Sequence, residues 1–428
     1  MGSSLPEGSW NPLRRGNPLA PVYVSVFLLN ASESALHILV PPYLVQRLQI
    51  GPALVGIVVA AFGVASLLAR LPVGALYRLS RARWLILFGG GLSALAFALV
   101  PLVSSALPFA GLMALDGLGW SIATTTQLAV LVGARPNGLS TISAMGWYSG
   151  FSGLGHTAAG AGGFMADRLG YDVSFWILAA ATALATAILV GTIRKTSERS
   201  GDRPDQVPAL GLGTKRRVRK GLGNTWRGLA AMPLMVWTGV LIMFYINVIN
   251  GVITTFHPIL ALSAGLSLTQ IGLLASCRSW TSSFTRLGSG PLFARLGGRS
   301  LTTPLLLVGA ASVMLIPAAR NSFVLQVPLF AMTGLSRGLL RVTGSAQAFD
   351  EPGDGDRQEG LTAALLQGGL DLGKISGPAV GGLVAGALGL IPMFYVVPLL
   401  LVTLYGTLEL IARKRMAAER LRTSGEPR

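Results

Sequence analysis

Seven side chains stand out because their chemistry is costly where the sequence puts them. Glu33, His37, Asp116, Asn247, Asn250, Arg337 and Arg341 all fall inside long apolar runs. Charged and strongly polar groups in such runs usually face a partner or a cavity. Glu33 and His37 are four residues apart, so on a helix they share one face. A carboxylate beside an imidazole is either a proton-carrying pair or a static hydrogen-bonded one. Asp116, next to Gly117, reads as a second proton carrier or as the partner of a basic group. Arg337 and Arg341 are again four apart, and their guanidinium forks suit a carboxylate or a phosphate. Their alternative is ion pairing with Asp116 or Glu33. Asn247 and Asn250, at i and i+3, offer amides to a bound solute or to a neighbouring helix.

Other polar residues within these runs carry plainer readings. Asp371 and Lys374, three apart, most simply neutralise each other. His257 precedes Pro258 and reads as structural or as part of a gate at the outer end. His156, beside Gly155, either packs in a small-residue face or titrates near neutral pH. Arg70, Arg278 and Arg286 read as reaching interfaces or partner helices. Trp120, Trp147, Tyr148, Tyr245 and Trp280 are aromatic positions whose ordinary use is helix packing or interface anchoring.

Such groups need long apolar helices to hold them. The chain has 428 residues, 51% hydrophobic and only 12% charged. A soluble chain carries about twice that charged share. Runs of about 20 residues or more recur, each long enough to cross a ~30 Å hydrocarbon core as a helix. Twelve spans are expected, at 18–46, 51–79, 82–104, 106–133, 138–168, 172–194, 231–262, 267–294, 300–319, 321–348, 359–388 and 391–412. They form an N-terminal bundle over 18–194 and a C-terminal bundle over 231–412. Tails at 1–17 and 413–428 and a linker at 195–230 are polar and basic. The first run is too long for a cleavable signal and lacks a small-residue cleavage site.

The formal charge of +17 is explained by topology. With both termini cytoplasmic, that side gathers Arg14, Arg15, Arg78, Arg81, Arg83, Arg135, the cluster from Arg194 to Arg227, Arg295, Arg299 and Arg357. The opposite side keeps Arg47, Arg168 and Arg320. This asymmetry sets orientation and predicts a multi-pass protein of the plasma (inner) membrane. Basic linker residues beside anionic lipid need no nucleic acid to account for them.

The two halves echo each other. Arg70, Leu71, Gly74, Leu76 and Arg83 meet identical residues 216 positions later, at Arg286, Leu287, Gly290, Leu292 and Arg299. Pro42 meets Pro258, and Val55-Gly56 meets Ile271-Gly272, at the same offset. With twelve spans, a long central linker and basic loops, the chain resembles the major facilitator superfamily over nearly its whole length. That resemblance implies an all-α membrane fold of two six-helix bundles around a central cavity, lined by spans 1, 4, 7 and 10. The family loop after the second span usually reads Gly-x-Leu-Ala-Asp-Arg-x-Gly-Arg-Arg/Lys, and its Asp is thought to lock the halves together. Gly74 and Arg83 fit, but Arg78 stands at the Asp position. In the second loop Gly290, Arg295 and Arg299 fit, and Ala294 replaces the Asp. The family's antiporter motif of span 4 is altered at Met113 and Asp116. Its helix-packing motif Gly-Pro-x-x-Gly-Gly lies in span 11, as Gly377, Pro378, Gly381 and Gly382.

The expected activity is secondary active transport of a small organic solute by alternating access, coupled to protons through Glu33 and Asp116. The alternatives are a facilitator or lipid-type flippase of the same fold, or a transport-inactive receptor or assembly protein. No enzyme motif, phosphate-binding loop, cofactor or metal-ligand spacing is present in the sequence. The expected partners are a small-molecule solute, protons and the lipid bilayer, with the protein a monomer. If one cavity acid is protonated, the arginines leave the cavity net positive and suited to an anion.

Overall fold

The computed structural model describes residues 19–76, 79–133, 141–199, 232, 234–287, 298–349 and 356–424. Thirteen α-helices lie among them. The N-terminal half contains α1 (Ala20–Gln46), α2 (Pro52–Leu76), α3 (Leu79–Leu99), α4 (Ala106–Gly133), α5 (Thr141–Thr157), α6 (Ala159–Leu169) and α7 (Tyr171–Arg199). The C-terminal half contains α8 (Leu234–Ser263), α9 (Leu268–Leu287), α10 (Gly298–Leu315), α11 (Phe323–Phe349), α12 (Asp356–Leu388) and α13 (Leu390–Ser424).

Eight of these helices are long and apolar enough to cross a membrane by length and composition. The others depart for visible reasons. Helix α10 holds a shorter apolar segment, Leu301–Leu315. Arg278 and Arg286 interrupt α9, and Asp371 and Lys374 interrupt α12. The fifth span is two helices, α5 and α6, broken at Ala158. There the ladder tightens, with Ala158 N–H donating to Gly155 O at 3.0 Å and Ala161 N–H to Ala158 O at 2.9 Å. Ser276 of α9 satisfies groups freed by the break. Its hydroxyl accepts from Gly160 N–H at 2.9 Å and donates to Thr157 O at 2.6 Å. In a membrane such a break persists only where protein groups complete the hydrogen bonding. Helix α13 runs on to Ser424 through the segment read as a tail, where Met416-Ala417-Ala418-Glu419-Arg420-Leu421 are good helix formers.

Short turns join helices at the end opposite the chain termini. Gly170, Gly265 and Gly389 take φ values of 81°, 89° and 96° there, a left-handed region open chiefly to glycine. Large side chains such as Leu68, Leu107, Val324 and Leu383 point outward and are exposed. A soluble monomer rarely shows so wide an apolar surface, whereas a bilayer covers it.

The halves meet along α2 against α12, α9 against α5 and α6, and α1 against α8. Small residues make this closeness possible, since nothing but packing and hydrogen bonds draws helices together in lipid. A Cβ on Gly163 would come 2.0 Å from Leu268 O, and one on Gly56 2.2 Å from Pro378 O. The span 11 glycines face two ways. Gly377 abuts Val248 and Gly251 of α8, Gly381 abuts Phe256, and Gly382 abuts Ala53 and Gly56 of α2.

Candidate functional site between the two halves

The site is built from α1, α2, α4 and α12 on one side and α8, α9 and α11 on the other. Glu33 is buried on α1, with His37 Nε2 3.0 Å from its Oε1. Neither Glu33 oxygen makes a well-formed hydrogen bond. The His37 ring meets Phe62 of α2 edge-on at 5.3 Å. The Phe62 ring also meets Lys374 of α12, whose Nζ lies 5.2 Å from its centroid. Phe62 thus touches both the imidazole and the half-buried Lys374 ammonium, and a cation over an aromatic face is attracted to it.

Asp116 of α4 is 1% exposed, and both its carboxylate oxygens lack a hydrogen-bond partner. Ser93 Oγ reaches its backbone carbonyl instead, at 3.3 Å. Asp116 lies within electrostatic reach of both Glu33 and Lys374. The close approach that lodges it comes from Gly117, where a Cβ would sit 2.2 Å from Phe62 O. Two acids and one lysine thus share a poorly satisfied interior.

Asp371 does not pair with Lys374 on its own helix. Its Oδ1 lies 3.1 Å from Arg70 Nη2 of α2. Three residues apart, Asp371 and Lys374 are neighbours on the helix, but Asp371 pairs across the interface instead. The Arg70–Asp371 pair ties the halves on the side of the chain termini. The loop residues Arg78, Gly290 and Arg295 lie outside the described residues, while Arg83 Cζ sits 5.0 Å over the Trp84 ring. Gly74 and Arg299 fall within helices α2 and α10.

The asparagines separate. Asn247 Nδ2 donates to Leu370 O at 2.7 Å, a helix–helix bond between α8 and α12. Asn250 instead lines a small cavity, and its buried Oδ1 has no partner. That cavity also receives Arg337 of α11, Arg278 of α9 and Tyr245 of α8. Tyr245 is held as wall, its hydroxyl donating to Leu306 O at 3.0 Å. Arg341 continues the Arg337 face toward the chain termini and is exposed. Among the described residues, no ion pair links Arg337 or Arg341 to Glu33 or Asp116.

The remaining candidates serve packing. His257 Nε2 bonds Gln326 Oε1, and its ring lies against Phe330 at 4.5 Å, all within the C-terminal half. It is a structural residue there. His156 Nδ1 lies 2.7 Å from Ser152 O. Trp280 stacks on Phe284 at the exposed surface, and Trp120 is buried.

At the end opposite the termini the halves are bridged by Asp167 of α6. Its carboxylate accepts from Leu268 N–H at 3.3 Å, Thr269 N–H at 2.7 Å and the Thr269 hydroxyl at 2.6 Å. It thereby caps α9 from the other half, and an anion at a helix N-terminus contributes about 0.3–1 kcal/mol beyond its hydrogen bonds. Asp167→Asn should shift the population several-fold toward an open seam. Spin labels at Gln49→Cys and Asn321→Cys read this as a longer distance, and an unchanged distribution would show that Asp167 is no latch.

Two helical bundles joined face to face, with ionisable groups gathered between them, are an architecture that membrane transporters use. The profile of the Major Facilitator Superfamily matches residues 22–267 and 247–427, and the chain belongs to that family. No curated protein sequence matches it significantly. Solved structures share the fold. A mutant of the nucleoside transporter NupG superposes with a TM-score of 0.74 at 14% identity, covering 93% of this chain and 99% of that one. A bacterial homologue of the human lysosomal transporter Spinster, inward-facing and unoccupied, superposes with a TM-score of 0.72 at 13% identity, covering 95% and 98%. At these identities the likeness concerns the fold.

Proposed function

We propose that this transporter moves a small organic solute by alternating access and draws its energy from protons carried by Glu33 and Asp116. The observation that carries this reading is the pair of buried carboxylates, Glu33 with only His37 beside it and Asp116 with no hydrogen-bond partner, within reach of each other and of Lys374. With both acids charged, they repel one another across a low-dielectric interior, so the first proton relieves a real electrostatic cost. Lys374 senses Glu33, Asp371, Arg70 and Arg337 together. A proton arriving at Glu33 frees the lysine toward Asp371, where it competes for the Arg70 tie. Proton binding is thereby linked to loosening of the halves, and by reciprocity loosening changes proton affinity.

The bridged end faces the exterior and both termini face the cytoplasm, on the Arg/Lys asymmetry. A Ser200→Cys variant in a Cys277→Ser background should label only after permeabilisation; labelling on intact cells contradicts the orientation. Transport itself is tested by counterflow in proteoliposomes against a solute panel. Flux of a panel member, enhanced by a proton gradient, supports the proposal. A receptor or assembly protein gives no flux with any solute.

A further inference from the structure

Helices α9 and α11 are drawn together by two glycines. A Cβ on Gly334 would lie 2.3 Å from Arg278 O, and one on Gly338 would lie 2.6 Å from Ser282 O and 2.2 Å from Thr285 Oγ1. Arg337 sits directly before Gly338, and Arg337 and Arg278 both line one cavity. Arg278 is 4% exposed, and its Nε and Nη1 have no hydrogen-bond partner. Arg337 makes no ion pair among the described residues, and Arg286 and Arg341 lie within electrostatic reach of it. The acids that pair elsewhere are Glu33 with His37, Asp172 with Arg47 and Asp371 with Arg70. A buried Arg278 guanidinium with a half-exposed Arg337 on the same cavity, and no carboxylate paired to either, is an unfavourable arrangement unless an anion completes it.

Resting on the transporter reading above, we infer that Arg278 and Arg337 form an oxyanion subsite, so that the carried solute bears a carboxylate or phosphate group. Each guanidinium presents a planar fork that matches two oxygens. The void between the cavity walls is ≈ 20 Å³. That is the room of about one water, so one oxygen of the anion enters it and the others stay at the half-exposed Arg337 guanidinium. The cavity walls are α8, α9, α10 and α11 of the C-terminal half, so the body of the solute lies outside them. Asn250, with its unpartnered Oδ1 on the same wall, takes a hydrogen bond from a donor on that solute. Tyr245 and Ser336 line the cavity as well, but their hydroxyls already donate to Leu306 O and Leu305 O. The binding energy therefore resides in the two arginines.

The test uses the purified full chain. Thermal stability is measured with panels of organic carboxylates, organic phosphate esters, neutral analogues, inorganic phosphate and chloride, and flux is followed by counterflow. Stabilisation and flux by a carboxylate or a phosphate ester, and not by its neutral analogue, are expected, and the two panels separate the sources. Arg278→Gln and Arg278→Lys should each weaken apparent affinity by about tenfold or more, since lysine keeps charge but loses the fork. Asn250→Asp guards against simple misfolding. It supplies an internal counter-charge, so its melting temperature should rise while the anion effect disappears. Flux of neutral solutes only, unchanged by Arg278→Gln, overturns the subsite and leaves the transporter reading standing. Response to inorganic phosphate or chloride alone overturns it too, as does Asn250→Asp with a lower melting temperature and an intact anion response. Absence of flux with every solute defeats the transporter reading instead.

Discussion

Glu33→Gln should abolish accumulation of solute against its gradient while leaving exchange of solute across the membrane measurable. Glutamine keeps the size and a hydrogen-bonding end but carries no titratable proton. The substitution mimics the protonated carboxyl permanently. Halves loosened permanently rock with or without a proton, so solute crosses and exchanges down its own gradient but is no longer concentrated by protons. Loss of concentrative uptake by about tenfold or more is expected, corresponding to at least ~1.4 kcal/mol of lost coupling. His37→Gln should have a smaller effect, because the imidazole only orients one Glu33 oxygen, at 3.0 Å. Equal accumulation by wild type and Glu33→Gln would remove Glu33 from the mechanism and leave Asp116 as the carrier.

Reversing the Arg70–Asp371 pair is expected to give the second large effect. Breaking a buried ion pair by removing one partner costs about 3–5 kcal/mol. Arg70 keeps 30% of its side chain exposed. Solvent screening therefore reduces the expected penalty to about 1–3 kcal/mol. Arg70→Asp and Asp371→Arg should each slow transport and separate the halves on the terminus side. The double variant restores the pair with opposite polarity and should recover most of the activity. Flux in the four proteins gives a double-mutant cycle, and a coupling energy near zero would show that the pair does not hold the halves.

The pair also explains what the sequence hid. The family's loop Asp is replaced by Arg78 and Ala294, which suggests a missing inter-half charge tie. The tie exists, but between Arg70 and Asp371, which are 301 positions apart and belong to no shared pattern. Local spacing points Asp371 at Lys374, and only the packed halves reveal the nearer partner. The asparagines teach the same lesson. Asn247 and Asn250 are equivalent by spacing, yet a turn's rotation gives one to Leu370 O and the other to the cavity.

What was legible rests on long-range regularity. Apolar runs, the offset between the halves and the Arg/Lys asymmetry are each spread over many residues, so local irregularities do not erase them. Glu33, Asp116 and Arg337 stand out because charge in apolar runs is rare. Arg278 carries the same signal, and the Gly334–Gly338 spacing on α11 marks the helix that approaches it. Reading it as an interface residue overlooked that combination. The break at Ala158 left no proline or charge to find. It depends on Ser276, which lies on another helix and in the other half.

The central claim is that protons drive solute through this protein by way of its buried acids. The most direct measurement loads proteoliposomes with a pH-sensitive dye and adds, from outside, the solute that counterflow identifies. Wild-type protein should carry protons inward together with solute, and Glu33→Gln should carry solute without the proton signal. Solute entry with no proton movement in wild-type protein would contradict the account.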